Sequence, residues 1–162
     1  MKILITGSNG LLGQKLLHKL RYDSSVELIA TSIGENRVSD NEGYTYFDLD
    51  ITNNDTVSKF IKVEKPQVVI NTAAMTNVDL CEDEKKNCDA LNVDAVKYLA
   101  DACANIDAHL IQISTDFIFD GEDGPYKETD IPNPISYYGL SKLKSEQLLQ
   151  AHSVKWTVLR TI

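Results

Sequence analysis

One stretch constrains this chain more than any other. Met1-Lys2-Ile3-Leu4-Ile5-Thr6-Gly7-Ser8-Asn9-Gly10-Leu11-Leu12-Gly13 opens the sequence. Ile3, Leu4 and Ile5 form a short apolar run of the kind that makes a strand buried on both faces. The run breaks at Gly7. By Leu11 the pattern is helical, with Leu12, Leu16, Leu17 and Leu20 on one face. Gly7 permits a tight turn, Gly10 removes a side chain where a diphosphate would approach, and Gly13 lets the helix lie close to the strand. The N–H groups that follow, with Asn9, Leu11 and Leu12 around them, offer a positive dipole end to an anion. The spacing is Gly-x-x-Gly-x-x-Gly. A strand–turn–helix with glycines for packing alone is the plainer alternative.

Composition narrows the classes. With 162 residues, 43% of them hydrophobic and 25% charged, the chain is long enough for one globular domain with a real core. A net charge of -8 argues against a nucleic-acid partner, although a local basic pocket can still hold one nucleotide. Cys81, Cys88 and Cys103 are an odd number and read as free thiols. The spacing of Cys81 and Cys88 suits no metal, and His18, His109 and His152 are scattered, so no metal site is expected. No signal peptide precedes the first strand and no apolar run is long enough to span a membrane. The expectation is a cytoplasmic protein with no membrane partner.

Strand and helix patterns then alternate. Strands are expected at Glu27–Ser32, Tyr44–Asp48, Gln67–Asn71, His109–Ser114 and Thr157–Arg160. Helices are expected from Thr52 to about Val63, with Thr52, Asn53 or Asn54 as cap, from Asp89 to Ala104, and from Ser136 to Ala151. Thr115 to Pro134 reads as one long loop, a length that usually carries function. The fold expected is α/β, a doubly wound parallel sheet of Rossmann type in three α/β/α layers. Ligands bind such sheets beyond the carboxyl ends of the strands. The second strand ends Thr31-Ser32-Ile33-Gly34 without the acid that would hold adenosine ribose hydroxyls. Ser32 and the downstream Arg37 therefore lean toward a 2′-phosphate, hence NADPH with NADH admitted; a solvated Arg37 is the alternative.

Tyr138 and Lys142 are four apart on the last helix and share a face, whereas Tyr137 points elsewhere. A nearby ammonium would lower the pKa of the Tyr138 phenol and suit it to proton transfer. Thr115 supplies a hydroxyl at the end of strand five that could hold a carbonyl oxygen.

Taken together, Thr6–Gly13, Asp48-Leu49, Asn71-Thr72-Ala73-Ala74, Asn77-Val78-Asp79, Leu91–Ala95, Ser114-Thr115-Asp116…Phe119-Asp120-Gly121, Pro125–Glu128 and Tyr138-Gly139-Leu140-Ser141-Lys142 resemble the extended short-chain dehydrogenases/reductases. Within them the chain is most similar to the dTDP-4-dehydrorhamnose reductase branch. The resemblance implies that Tyr138 gives a proton to the substrate carbonyl oxygen. Lys142 would bind the nicotinamide ribose, and Thr115 the substrate oxygen. Asp48 and Leu49 would receive the adenine, while Ala73 and Ala74 would line the cofactor; Asn71, Asn92 and Ser114 complete that set. It implies hydride transfer to a nucleotide-linked 4-keto-6-deoxy sugar. Phe117 stands where the family commonly has tyrosine. The chain stops at Thr161-Ile162, so a C-terminal substrate-binding segment of the family is expected to be missing and residues 1–162 to be its NAD(P)-binding domain. The non-catalytic regulatory subunit of methionine adenosyltransferase, a sugar-nucleotide epimerase or a dehydratase are the alternatives. The oligomeric state is open, a homodimer among the options.

Overall fold

The computed structural model describes residues 1–162. Six strands form one sheet: β1 (Lys2–Thr6), β2 (Glu27–Ser32), β3 (Thr45–Asp48), β4 (Val68–Asn71), β5 (His109–Thr115) and β6 (Lys155–Thr161). Their order is β3-β2-β1-β4-β5-β6 and every pairing is parallel. The order reverses at β1, so the crevice above the β1 and β4 ends is the topological switch point where such sheets take ligands. Ile5 lies between Ala30 and Ile70, and Ile70 lies beside Ile111, so apolar rows cross the strands.

The helices are α1 (Leu11–Leu20), α2 (Asn54–Glu64), α3 (Val78–Asp83), α4 (Lys85–Asp89), α5 (Ala95–Ala104) and α6 (Tyr137–Gln150). On one face, Leu4, Ile29, Val69 and Leu110 pack against Val57 and Ile61 of α2, Val96 and Leu99 of α5 and Leu149 of α6. On the other, Ile3, Ile5, Leu28 and Ala30 pack against Leu17 of α1 and Val38 of the β2–β3 loop. The expected three layers are present, the second helical layer being α1 alone.

Caps fix the helix starts. Asn53, one of three candidates, accepts from the Thr56 N–H, and Asn77 accepts from the Leu80 N–H. Ser136 accepts from the Gly139 N–H and starts α6. Lys65 ends α2 in the left-handed region at φ 48°.

Three features differ from the expectation. α3 and α4 fill a stretch that showed no helical period, because each is too short to display one. The long helix expected from Asp89 contains a π-helical turn, Ala90–Asp94, before α5. Thr115 ends β5, and Asp116–Ile118 form a 3₁₀ turn, so the long loop begins at Phe119 instead of Thr115.

Leu99 is fully buried at the centre of the larger core. Leu99→Ala is expected to destabilise the domain by about 2–5 kcal/mol, read from the midpoint of urea unfolding.

Candidate functional site

The turn after β1 holds three backbone segments unusually close together. Gly7 has φ +70°, and a Cβ there would sit 2.6 Å from the Ala73 nitrogen. A Cβ on Gly13 would sit 2.5 Å from the Gly7 oxygen and 2.6 Å from the Ser8 Cα. These two glycines are packing requirements. Gly10 is different: its Cβ would meet only the Gly7 oxygen, at 3.2 Å, and otherwise faces open space at the start of α1. The first N–H groups of α1, from Leu11 to Gly13, have no partner within the helix. Leu11 and Leu12, 80% and 39% exposed, rim this mouth. The cradle therefore has the shape and the donors that a diphosphate needs.

The β2–β3 loop is sewn to this turn. Asn9 Nδ2 donates to the Glu35 carbonyl (3.0 Å), and Asn9 Oδ1 accepts from the Arg37 N–H (2.9 Å). The Asn9 side chain thus carries Arg37, which is exposed, to the mouth. Tyr46 donates to the Gly34 carbonyl (2.7 Å), and Asp48 accepts from the Gly34 N–H (2.8 Å). The Leu49 N–H donates to the Ser32 carbonyl (3.0 Å), which aligns the β2 and β3 ends.

Three expected cofactor ligands have their side chains engaged elsewhere. Asn71 is fully buried: it accepts from Thr6 Oγ1 (2.6 Å) and the Ala73 N–H (3.2 Å), and donates to Gln112 Oε1 (2.8 Å). It ties β1, β4 and β5 together, because a buried amide must find partners inside the sheet. Asn92, on the π turn, accepts from the Met75 N–H (2.8 Å) and donates to the Met75 carbonyl (3.0 Å) and Ser141 Oγ (2.9 Å). It clasps the loop that carries Ala73 and Ala74 to α6. Ser114 Oγ donates to Glu146 (2.5 Å). Cys81 and Cys88 lie behind this clasp, buried, with their sulfurs 2.9 Å apart.

At the β5 end, Thr115 Oγ1 donates to Asp116 (3.2 Å) and accepts from the Phe117 N–H (3.2 Å). Gly139 makes its neighbourhood possible: a Cβ there would collide with the Phe117 carbonyl oxygen. With no side chain in the way, α6 starts against the 3₁₀ turn and presents Tyr138 beside Thr115. The Phe117 ring meets Tyr138 edge-on, centroids 6.0 Å apart. Lys142 is 2% exposed and donates to the Ile113 carbonyl (2.7 Å). Burial pushes its ammonium down to about 8. Tyr138 departs from the expectation. Burial raises its phenol above the usual tyrosine range, and the Thr115 hydroxyl opposes that. Tyr137 points away as expected, donating to Asp89 (2.7 Å) and accepting from Lys144 (3.2 Å).

Beside Tyr138 and Thr115 opens a cavity of about 360 Å³ lined by Val78, Asp116, Phe117, Phe119, Tyr126 and Ile135. Its floor is ordered by Asp120, which accepts from Tyr126 (2.5 Å) and from Asn133 Nδ2 (2.8 Å). These contacts hold the Asp120 carboxyl down at about 2. Sequence reasoning missed Gly139, Ser141, Gln112 and Glu146. Glu146 left a signal, a carboxylate four residues beyond Lys142 on the packed face of α6.

A family model described as RmlD substrate binding domain matches residues 1–162. A curated dTDP-4-dehydrorhamnose reductase of Aggregatibacter actinomycetemcomitans is 40% identical over 161 residues, covering 99% of this chain and 50% of that protein. The methionine adenosyltransferase 2 subunit beta of Bos taurus is 33% identical over 98% of this chain and 46% of its own. The chain thus spans about half the length of the curated relatives it matches. A crystal structure of a dTDP-4-dehydrorhamnose reductase from Clostridium acetobutylicum superposes with a TM-score of 0.88 at 41% identity, over 100% of this chain and 53% of that one. One from Bacillus anthracis, in complex with NADP, gives 0.81 at 31% identity, over 98% and 52%.

The tight seat of Gly139 can be probed directly. Gly139→Ala forces α6 off the Phe117 carbonyl and is expected to cost about 1–3 kcal/mol in urea unfolding. Gly10→Ala, whose Cβ finds more room, should cost less.

Proposed function

This chain belongs to the RmlD substrate binding domain family, and from that premise we propose that residues 1–162 are the dinucleotide-binding half of an NAD(P)H-dependent reductase of short-chain dehydrogenase/reductase type. Its substrate class is a nucleotide-linked 4-keto-6-deoxy sugar, as in dTDP-4-dehydrorhamnose reductases. The observation that carries the reading is Tyr138 standing beside Thr115, one turn above a buried Lys142, at the same sheet edge as the Gly10 cradle.

The dinucleotide, when bound, supplies the hydride. The chain's own residues do the rest. Gly10 leaves room for the diphosphate, and the N–H groups of Leu11, Leu12 and Gly13 receive it. Arg37, brought to the mouth by Asn9, and Ser32 face the adenosine ribose and favour a 2′-phosphate. Asp48 and Leu49 border the adenine, and Ala73 and Ala74 offer a flat wall of methyl and backbone. Lys142 reaches the nicotinamide ribose from below Tyr138. A phenol held above the ordinary tyrosine range is fully protonated at neutral pH, which is the state a proton donor must occupy. Tyr138 gives that proton to the substrate carbonyl oxygen while the Thr115 hydroxyl donates to the same atom. No helix is long and apolar enough to cross a membrane.

The 33% identity to a methionine adenosyltransferase subunit supports a second reading, binding of the dinucleotide without turnover. Two measurements separate and test these readings. Gly10→Val places a branched side chain in the diphosphate space and should abolish NADPH binding followed by fluorescence titration. The parent should bind NADPH at least as tightly as NADH; unchanged affinity in the variant would mean that Gly10 serves packing alone. In a chain extended to the length of its relatives, Tyr138→Phe should slow hydride transfer under saturating NADPH by about 10²–10⁴-fold. Tyr137→Phe should leave the rate nearly intact. Cofactor binding with no reduction of any 4-keto sugar nucleotide by the parent would favour the regulatory reading.

A further inference from the structure

Tyr138, Lys142 and Glu146 follow one another at intervals of four along α6, so one helix face carries a phenol, an ammonium and a carboxylate. Lys142 and Glu146 are each 2% exposed. Two charges that deep are costly unless they are paired and hydrogen-bonded. Glu146 is well held: it accepts from Ser114 Oγ (2.5 Å), Arg160 Nε (3.2 Å) and Arg160 Nη2 (2.7 Å). Lys142 is not, since its hydrogen bond goes to a neutral carbonyl, Ile113 (2.7 Å). A carbonyl orients an ammonium but cannot balance its charge.

We propose that Glu146 is a positioning residue for Lys142: its carboxylate, fastened by Ser114 and Arg160, is the counter-charge that keeps a buried ammonium seated beneath Tyr138. The surroundings offer no competitor of the same kind. From α4 the Cys88 thiol faces Lys142, and behind it on α3 lies Cys81, which burial pushes up to about 12 and so keeps neutral. From the 3₁₀ turn Asp116 acts on Tyr138. From β6 comes Arg160, a cation already paired with Glu146, with Glu128 of the preceding loop acting on it in turn. Glu146 is the strongest influence opposing the burial that drives Lys142 toward its neutral form. One carboxylate therefore serves two cations, Arg160 by direct contact and Lys142 across one helical turn.

The inference rests on the reading of Lys142 as the lysine beneath the proton donor, and its test is independent of turnover. In the full-length protein, with lysine labelled by ¹³C at Cε, Lys142 is identified as the resonance that vanishes in Lys142→Met, and it should titrate well below the other lysines. Glu146→Gln keeps the shape and removes the charge, so that resonance should titrate about one pH unit lower. A merely structural role predicts the opposite. A loosened helix admits water and moves the midpoint up toward the ordinary lysine range, about 10.4. A midpoint unchanged or raised in Glu146→Gln overturns the proposal. If that variant does not fold, Arg160→Met carries the test: freeing the carboxylate from its other cation should raise the Lys142 midpoint, and a midpoint unmoved or lowered overturns it. Lys142→Met in the hydride-transfer assay tests the underlying reading separately. A full rate there removes Lys142 from the machinery, while the titration still decides whether Glu146 is its counter-charge.

Discussion

The ligand edge of this domain depends on backbones that pass within the space of a single methyl group. Gly7 abuts Ala73, and Gly13 abuts Gly7 and Ser8. The turn out of β1, the first turn of α1 and the loop out of β4 are thereby drawn to one point. Any Cβ at Gly7 or Gly13 would displace a backbone rather than a flexible side chain. Gly139 imposes the same condition on the far side, where α6 rests on the Phe117 carbonyl. Between these contacts lies a crevice whose width is set by glycine.

Polar groups around the crevice sort by burial. Those on its floor hold the scaffold: Asn71 bonds Gln112, Gln112 the Ile113 carbonyl, Asn92 the Ser141 hydroxyl, and Ser114 the Glu146 carboxylate. Those on its rim differ: Arg37 and Asp48 are exposed and Tyr138 is half-buried. Lys142 stands at the boundary. It is buried like a floor residue but carries a charge suited to the rim, and that conflict is what depresses its pKa.

Much of this was legible in the sequence, and the reasons are physical. The apolar runs at Ile3–Ile5 and Val68–Ile70 pack against both faces of the sheet, with Val68 and Ile70 half-buried, so their hydrophobicity is continuous and the parallel sheet is readable. Tyr138 and Lys142 share a face because helical geometry admits no other result at that spacing. What could not be read depended on three-dimensional neighbours. Asn71, Asn92 and Ser114 entered the expected cofactor set through the resemblance alone, and a polar side chain has the same local signature whether it faces a cofactor or a neighbouring element. Only the pairing of β1, β4 and β5 shows that Asn71 turns inward. The net rise of the Tyr138 pKa has a related reason, since burial of the phenol depends on neighbours that helical spacing does not show. Nor does spacing show that the Lys142 ammonium donates to the Ile113 carbonyl, far away in sequence. α3 and α4 stayed hidden because a helix of one or two turns has no period to detect.

The polar chain through the Thr6 hydroxyl and the Asn71 and Gln112 amides governs how the edge behaves in time. It runs from the last residues of β1 and β4 to the middle of β5, where the ends of parallel strands would otherwise fray into solvent. With the strand ends stitched together, none can open without breaking a buried polar link on its neighbour, so this region should belong to the slowest-opening part of the domain. A surface that is already still loses little conformational freedom when a flat ligand settles on it. The seam thus lowers the entropic barrier to binding without touching the ligand at all.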